Sequence, residues 1–86
     1  MWYVYILICS DDSLYTGVTT DPERRVKEHN ETKKGAKYTR SRRPVKLCYL
    51  SEFPCRSSAQ SEESRIKKLS RASKLSLISE RSNVRK

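Results

Sequence analysis

Residues 3–25 constrain the fold more than any other part of the sequence. They begin with an unbroken run of β-branched, aromatic and aliphatic residues, YVYILI, which is typical of a packed strand. A polar SDDS segment interrupts this run and residues 14–18 resume it, so the two segments predict a β-hairpin. The Asp21-Pro22 pair then predicts a helix start, because aspartate caps free backbone N–H groups and proline suits the first helical position.

Beyond the hairpin, the sequence predicts a helix, a loop and a third strand. The helix covers residues 21–32, and a long basic loop follows over residues 33–43. In residues 45–53, both the odd-numbered and the even-numbered positions include apolar residues. This pattern predicts a strand that is covered on both faces in its middle. Three strands with helices packed on them give an α/β (α+β) fold, with a small three-stranded antiparallel-type sheet flanked by helices.

The C-terminal third predicts two more helices and a tail. Ser57 with Gln60 three residues later is a capping-box pattern for the second helix, and Ser70 is expected to cap the third. The apolar positions expected to face the core are Ala59, Ile66, Leu69, Leu75 and Ile78. We therefore expect one small domain over residues 1–78 and a loose basic tail over residues 79–86.

Basic residues outnumber acidic residues and are concentrated in two parts of the chain. Nineteen Lys and Arg against ten Asp and Glu give a net charge of +9. Seven of the nineteen lie in residues 33–46, and eight more from residue 65 onward. This distribution favours a polyanionic partner, because lysines and arginines that neutralise phosphates release condensed counterions. The alternatives are a merely soluble surface or attraction to anionic lipid, although no clear amphipathic anchor accompanies the charge.

The sequence does not predict a membrane segment or a signal peptide. Mean hydropathy is −0.84. The apolar run at residues 2–9 is too short to span a bilayer and has no basic region before it. We therefore expect a cytoplasmic protein.

The three cysteines, Cys9, Cys48 and Cys55, do not form a metal-binding pattern. They lack the close spacing of zinc ligands, so a zinc site with His29 is not favoured. Cys9 and Cys48 lie in strand patterns and are most simply small buried hydrophobic residues. We expect the cysteines to carry no chemistry.

Two tyrosine triplets, YVY at residues 3–5 and YTG at residues 15–17, are followed by Arg25 and later by a helical glutamate. This combination resembles the GIY-YIG nuclease superfamily, and in particular its small stand-alone single-domain bacterial proteins. The resemblance runs over residues 2–78. Three positions depart from the family pattern: Tyr3 replaces a glycine, Thr16 replaces an isoleucine, and Val18 stands where several catalytic relatives have a lysine.

The resemblance implies a metal-dependent endonuclease that hydrolyses phosphodiester bonds in DNA and acts on structure or backbone rather than sequence. It implies one Mg²⁺ (or Mn²⁺) ion and four catalytic residues, namely Tyr5, Tyr15, Arg25 and His29. Arg25 provides a charged fork for a phosphate. Either Tyr5 or Tyr15 takes the proton of the attacking water, with His29 as a relay, because a neighbouring cation favours a phenolate. Each tyrosine taken alone is better explained as core packing between strands, but the combination of these residues in one chain favours the catalytic interpretation.

The metal-binding carboxylate is one of two adjacent residues. Matching the E-x-x-I-K-x-L run of the family implies Glu63 as the ligand. At about 100° per residue, Glu62 falls nearer the centre of the helix's apolar face and Glu63 nearer its edge. An edge position suits a carboxylate that reaches a wet cleft, but it also suits a surface glutamate paired with Lys67. Glu63 is the first candidate, and Glu62 stays open as the second.

Residues expected to contact nucleic acid come mainly from the basic loop. They are Lys33, Lys34, Lys37, Tyr38, Arg40, Arg42, Arg43, Lys67 and Lys68. The expected partner is nucleic acid, in the first place DNA, with a protein partner that supplies substrate recognition as a further expectation. Two other functions stay open: a non-catalytic nucleic-acid-binding module of the same fold, which Val18 favours, and an adaptor that docks on an acidic protein.

Overall fold

A computed structural model of the chain describes residues 1–32 and 35–84. The described residues form three strands and four helices. In chain order these are β1 (Trp2–Ile8), β2 (Leu14–Thr19), α1 (Pro22–Glu31), α2 (Lys37–Arg40), β3 (Lys46–Phe53), α3 (Arg56–Lys67) and α4 (Arg71–Val84). The strands form one antiparallel sheet in the order β2-β1-β3, which confirms the predicted fold class. No helix of this described part is long and apolar enough to cross a membrane.

The predicted hairpin is present, and short polar side chains build its turn. β1 and β2 pair antiparallel with Tyr5 opposite Gly17. The Asp11 carboxylate accepts hydrogen bonds from the backbone N–H of Ser13 at 3.1 Å and from its hydroxyl at 2.6 Å. Asp12 has φ 67°, a left-handed conformation that aspartate tolerates better than most residues. The register therefore brings the tyrosine of the first triplet beside the glycine of the second.

Helix α1 starts as the sequence predicts. The Asp21 carboxylate accepts a hydrogen bond from the Arg24 backbone N–H at 3.2 Å, and Pro22 occupies the first helical position. Arg25 and His29 follow on one side of the helix, four residues apart. This capped start fixes where the helix begins, and so where the arginine and the histidine lie relative to the sheet.

Strand β3 pairs with the other side of β1. The register shifts between Ile6 and Leu7, so that Cys48 is an extra residue in β3 and the strand contains a bulge. Tyr49 is buried and Leu50 is half-buried. The prediction that the middle of this strand is covered on both faces is therefore confirmed.

The sheet has two differently built faces. On one, which we call the apolar face, the buried cluster contains Val4, Ile6, Tyr49, Ala59 and Ile66, and α3 and α4 cover it. On the other, which we call the cleft face, the cluster contains Tyr5, Leu7, Cys9 and Val45, with Tyr15, Val26 and Leu50 packed against it. Alternate residues of β1 supply the two faces because successive side chains of a strand point to opposite sides. Val26 brings α1 onto the cleft face.

One short helix lies where a basic loop was predicted. Residues 37–40 form the single turn α2, which is anchored by the buried residue Thr39. The Thr39 side chain reaches His29 of α1, at 2.8 Å between Oγ1 and Nδ1. The prediction of an irregular loop was wrong here because a tertiary contact, and not a local capping signal, orders this turn.

Helix α3 begins two residues earlier than the capping-box pattern predicts. Its cap position is Cys55, with no side-chain capping hydrogen bond, and Ser57 lies inside the first turn. The Ser58 hydroxyl instead donates to the Cys55 carbonyl at 3.0 Å. The predicted apolar residues Ala59 and Ile66 are both fully buried, as expected.

The last helix differs from its prediction in two ways. Ser70 caps α4 as expected, since its hydroxyl accepts a hydrogen bond from the Ser73 backbone N–H at 3.2 Å. However, Leu77 joins Ile78 on the apolar face, and Leu75 is 41% exposed. At about 100° per residue, a stripe centred between Leu77 and Ile78 leaves Leu75 outside it. The helix also continues to Val84, so residues 79–84 are helical rather than a loose tail.

The last two residues of the predicted tail, Arg85 and Lys86, lie outside the described residues. The domain boundary at residue 78 stays a prediction.

The three cysteines are free and lie in three different environments. Cys9 is buried on the cleft face, and Cys48 is half-buried against the apolar face, where burial raises its pKa to about 11. Cys55 is exposed, and hydrogen bonds from the Ser57 and Ser58 side chains lower its pKa to about 7.

Candidate active site

The buried phenol of Tyr5 is at the centre of the cleft face. Its side chain is 1% exposed, and its ring lies over Gly17 of the neighbouring strand. A Cβ atom at position 17 would lie 2.5 Å from the Tyr5 hydroxyl oxygen, which is closer than real Cβ contacts allow. The glycine of the second triplet is therefore explained by the space that the tyrosine of the first triplet needs.

His29 is fully buried behind Tyr5 and has partners for both ring nitrogens. Its Nε2 atom lies 2.9 Å from the Tyr5 hydroxyl oxygen. Its Nδ1 atom lies 2.8 Å from Thr39 Oγ1 and accepts a hydrogen bond from the Ala36 backbone N–H at 3.3 Å. Gly35 packs directly against α1 at this point, where a Cβ atom would lie 2.7 Å from the His29 Cα atom. Gly35 and Ala36 thus lie directly against this part of α1.

Arg25 lies one helical turn before His29 and is partly exposed. Its guanidinium group donates a hydrogen bond to Glu28 Oε1 at 3.0 Å and also bonds the Tyr5 side chain. Burial opposes its charge, but these bonds outweigh burial and raise the pKa of the guanidinium above its ordinary value. Arg25 is therefore a permanent cation held beside the Tyr5 phenol.

Tyr15 connects this buried group to the surface. Its ring centroid lies 5.2 Å from that of His29, 6.3 Å from that of Tyr5 and 5.9 Å from that of Tyr38, on which it stacks. Tyr15 is half-buried and Tyr38 is 41% exposed. The charge interaction between Tyr15 and Arg25 contributes to the raised pKa of the guanidinium group. Among the candidate catalytic residues, the more accessible of the two tyrosines is therefore Tyr15.

Burial keeps Tyr5 and His29 in their neutral forms. Burial raises the pKa of Tyr5 to about 12, against the opposing effect of Arg25, and the charge of Glu63 adds to the increase. Burial and the charge of Arg25 lower the pKa of His29 to about 4. At neutral pH we therefore expect a protonated phenol hydrogen-bonded to an uncharged imidazole.

The two candidate carboxylates have different partners. Glu62 forms two hydrogen bonds with Arg65, at 2.8 and 2.6 Å, and this pairing lowers its pKa. Glu63 Oε2 lies 3.2 Å from Lys67 Nζ, and the charge of Glu63 adds a small contribution to the pKa of Tyr5, which is raised mainly by burial. Electrostatically, Glu63 is therefore the carboxylate on the side of the tyrosine cluster.

The donor set at Glu63 fits a cation that keeps most of its water ligands. No group of three or more His, Cys, Asp or Glu residues that could enclose an ion occurs within residues 1–32 and 35–84. A single carboxylate oxygen is a hard ligand, and Mg²⁺ is commonly bound through one or two carboxylates with waters completing its shell. The Lys67 ammonium group already pairs with Glu63, so a metal ion bound there would replace this lysine as the partner of the carboxylate.

The predicted nucleic-acid contacts fall into distinct groups. Lys37, Arg40 and Lys68 are exposed, and Lys67 pairs with Glu63. Lys33 and Lys34 lie outside the described residues.

Two arginines of the predicted phosphate-binding set have contacts within the chain. Arg42 donates to Asp11 Oδ2 at 3.1 Å and to the Tyr38 carbonyl at 2.8 Å, and its guanidinium carbon lies 4.1 Å from the Tyr38 ring centroid. Arg43 donates to the carbonyls of His29 and Thr32 at the end of α1. Both therefore hold the segment around α2 in place.

Sequence reasoning missed Thr39 and Asn30. Thr39 is fully buried beside His29, and the Asn30 side chain forms two hydrogen bonds with the Val45 backbone at 2.7 and 3.0 Å. One signal could have indicated Thr39. It is a β-branched residue inside a charged run, and a solvated loop does not require a β-branched residue at that position. Asn30 followed the helical histidine without any distinguishing pattern.

Comparisons with known proteins give a family match and similar sequences. The family model described as the GIY-YIG catalytic domain matches residues 1–76. A UPF0213 protein of Syntrophus aciditrophicus is 58% identical over 76 residues, which cover 88% of this chain and 87% of the relative. A UPF0213 protein of Clostridium perfringens is 57% identical over 82 residues, which cover 95% of this chain and 87% of the relative.

Two solved structures share the fold. The solution NMR structure of the UPF0213 protein BH0048 from Bacillus halodurans has a TM-score of 0.59 and 50% identity, and the match covers 92% of this chain and 84% of that one. The solution NMR structure of the protein EF2693 from E. faecalis has a TM-score of 0.58 and 46% identity, over 87% of this chain and 80% of that one.

Proposed function

The chain belongs to the GIY-YIG catalytic-domain family, which is a nuclease superfamily, and we propose that it is a metal-dependent endonuclease that hydrolyses phosphodiester bonds in DNA. The observation that carries the proposal is the contact of a guanidinium group with a phenol on the cleft face. Arg25 hydrogen-bonds Tyr5 and interacts with the charge of Tyr15. Core packing does not require this combination, since buried phenols and guanidinium groups each need a partner.

Arg25 binds the phosphate. Its fork of N–H donors matches phosphate oxygens, and its partial exposure leaves part of the group within reach of a substrate. The side chain is held by Tyr5 and Glu28, so little conformational freedom is lost on binding. Recognition through the backbone phosphate makes the activity depend on nucleic-acid structure rather than base sequence.

Tyr15, rather than Tyr5, takes the proton of the attacking water. Tyr5 is 1% exposed, and burial raises its pKa to about 12, so it keeps its proton at neutral pH. Tyr15 is more accessible, and Arg25 is close enough to interact with its charge, as a phenolate base requires. The Tyr15 phenolate takes a proton from water, the water oxygen bonds to phosphorus, and the bond from phosphorus to the 3′ oxygen breaks. The 3′ oxygen leaves with the bonding electron pair and takes up a proton from solvent. Tyr5 and His29 orient Arg25 and Tyr15.

Glu63 holds the metal ion. When bound there, a Mg²⁺ or Mn²⁺ ion would supply positive charge for polarising the phosphate and stabilising the leaving oxygen. The support for Glu63 over Glu62 is its pairing with a single lysine and its electrostatic effect on Tyr5, whereas Glu62 is engaged by both bonds from Arg65.

A second function, a nucleic-acid-binding module without catalysis, is favoured by Val18. This residue packs against the apolar cluster and offers no cation to a phosphate. In such a module, Arg25 and the exposed lysines would still bind the backbone.

The test compares Glu63→Gln with Glu62→Gln, a matched pair of substitutions one residue apart. Cleavage of branched, nicked and linear DNA and of RNA is measured with Mg²⁺, Mn²⁺ or EDTA, with binding measured in parallel. We expect Glu63→Gln to lose metal-dependent cleavage and keep or improve DNA affinity, because a negative charge near the phosphate has been removed. Glu62→Gln should cleave at the wild-type rate.

The remaining outcomes are equally informative. If cleavage survives in Glu63→Gln and is lost in Glu62→Gln, the metal ligand is Glu62. Wild-type protein that binds DNA but cleaves no substrate with either metal would refute the endonuclease and leave the binding module.

A further inference from the structure

The two tyrosines of the cleft face are held in different ways. The Tyr5 hydroxyl lies 2.9 Å from His29 Nε2 and also bonds Arg25, so hydrogen bonds fix the orientation of this phenol. Tyr15 is held through its ring. Two of its ring neighbours are buried, His29 at 5.2 Å and Tyr5 at 6.3 Å between ring centroids. The third neighbour is Tyr38.

Tyr38 is the neighbour of Tyr15 that lies nearest to solvent. It is 41% exposed, and its ring is stacked on that of Tyr15, with 5.9 Å between the centroids and 30° between the ring planes. Aromatic pairs prefer a small set of relative orientations, so a stacked partner restricts the ring that it contacts. Tyr38 therefore limits how far the Tyr15 ring can turn towards solvent.

Arg42 supports Tyr38 and connects it to the strand that carries Tyr15. Its guanidinium carbon lies 4.1 Å from the Tyr38 ring centroid, and the same group donates to the Tyr38 carbonyl at 2.8 Å. The guanidinium group also donates to Asp11 Oδ2 at 3.1 Å, in the turn that leads into β2. Arg42 thus joins the turn before Tyr15 to the ring that covers Tyr15.

Helix α2 presents the Tyr38 ring from a support that other residues anchor. Thr39 is fully buried against His29, and the Ser10 N–H donates to the Arg42 carbonyl at 2.9 Å just after the helix. These contacts hold the backbone on both sides of the Tyr38 side chain. Because the support is anchored in this way, the stack constrains Tyr15.

The same contacts bear on the expected role of Tyr38 in nucleic-acid binding. Its ring already has two partners within the chain, Tyr15 and Arg42. A nucleobase that stacked on this ring would compete with them. The geometry therefore favours a role towards Tyr15 over a role as a stacking platform.

We propose that Tyr38 is a positioning residue that holds the Tyr15 phenol in the orientation in which it accepts a proton from the attacking water. The proposal rests on the proposed function for the role of Tyr15 as the base. Without the Tyr38 ring, Tyr15 samples further orientations, and a smaller fraction of bound complexes has its oxygen directed at the water. The contact itself belongs to the free protein and can be measured without substrate.

The first experiment compares cleavage kinetics of the wild-type protein, Tyr38→Leu and Tyr38→Phe. Leucine removes the ring, phenylalanine keeps it, and neither changes the net charge that attracts DNA. Tyr38→Leu should lower kcat about ten-fold with KM for DNA unchanged, and Tyr38→Phe should restore kcat. If Tyr38→Leu instead raised KM and kept kcat, Tyr38 would be a DNA contact and the proposal would be wrong.

The second experiment measures nuclear Overhauser effects (NOEs) between ring protons in the free protein. His29 is the only histidine in the sequence, so its ring signals are unambiguous. We expect NOEs from the Tyr15 ring to both His29 and Tyr38 in the wild type. The NOE between Tyr15 and His29 should weaken in Tyr38→Leu and keep its wild-type intensity in Tyr38→Phe.

The NMR results decide the proposal whatever the enzymatic activity. Wild-type protein without cleavage would refute the proposed function, and the NOE comparison would still show whether Tyr38 holds Tyr15. An unchanged NOE between Tyr15 and His29 in folded Tyr38→Leu would overturn the role of Tyr38. The absence of an NOE between Tyr15 and Tyr38 in the wild type would do the same, and this result needs no variant to fold.

Discussion

The two faces of the sheet are made from alternate residues of the same strand, yet they are built by different rules. On the apolar face, Val4 and Ile6 of β1 pack against Ala59 and Ile66 of α3, and only size and shape matter. On the cleft face, the neighbour between those residues, Tyr5, is buried with polar partners. A single strand therefore carries an ordinary core on one side and a polar network on the other.

This difference determines how each face responds to change. Removing methylene groups from the apolar face costs transfer free energy and leaves a cavity. Removing one polar group from the cleft face leaves its partner buried and unpaired, which costs about 1–3 kcal/mol for each orphaned group. The apolar face should therefore determine how stable the domain is, and the cleft face should determine under which conditions it is stable.

The largest effect is expected on the apolar face. Ile66→Ala removes most of a fully buried side chain between α3 and the sheet, and it should lower the free energy of unfolding by about 2–5 kcal/mol. Urea denaturation followed by circular dichroism measures this loss. The control, Ile66→Val, should cost about 0.5–1.5 kcal/mol. If the alanine variant were as stable as the valine variant, α3 would not be part of the core.

The cleft face should make stability depend on pH. Burial and the charge of Arg25, with a contribution from Arg43 and against the charge of Glu28, lower the pKa of His29 from 6.5 to about 4. Between these values the unfolded chain binds a proton that the folded chain does not, so stability is full above about pH 6.5 and falls as the pH drops towards 4. The loss should reach about 3 kcal/mol at the lower limit.

Urea titrations across this pH range test the prediction, with the two faces as each other's control. Ile66→Val should shift the stability curve down by the same amount at every pH, because it does not titrate. His29→Gln should flatten the curve over this range. Hydrogen bonds from Ser13 and Arg65 lower the pKa values of Asp11 and Glu62, so the stabilisation from these carboxylates is also lost towards the acid end of the titration. A wild-type curve that is flat from pH 6.5 to 4 would mean that His29 is accessible to water.

The sequence predicts local features of both faces better than it predicts their contacts. The hairpin, the Asp21 cap and the Ser70 cap were readable because each depends on neighbouring residues. The alternation of β1 likewise predicts two faces, since it follows from strand geometry.

The contacts that distinguish the cleft face could not be predicted as well from the sequence. His29 and Thr39 are ten residues apart, and α2 forms because their side chains meet. Charge alone assigned Arg43 to nucleic acid, although it bonds two carbonyls at the end of α1. A charged residue with a structural partner and one that faces solvent have the same sequence pattern, so only the folded chain separates them.

The smallest expected effect concerns DNA binding. Its measurement tests whether the cleft face is also the DNA-binding face. Lys37 and Arg40 are exposed on α2, whose Tyr38 stacks on Tyr15. The double variant Lys37→Ala/Arg40→Ala should lower the slope of log affinity against log salt by about 1–2, since each lost phosphate contact contributes roughly 0.9.

The matched control removes the same charge from α4, on the apolar side, with Arg71→Ala/Lys74→Ala. Affinity for one duplex, measured by fluorescence anisotropy over a salt series, should keep its wild-type slope in this control. Arg43 is left intact in both variants because its loss would free the end of α1 as well as remove a charge. Equal slopes in the two double variants would mean that phosphates are bound over the whole basic surface. The cleft face would then not be the specific DNA-binding face.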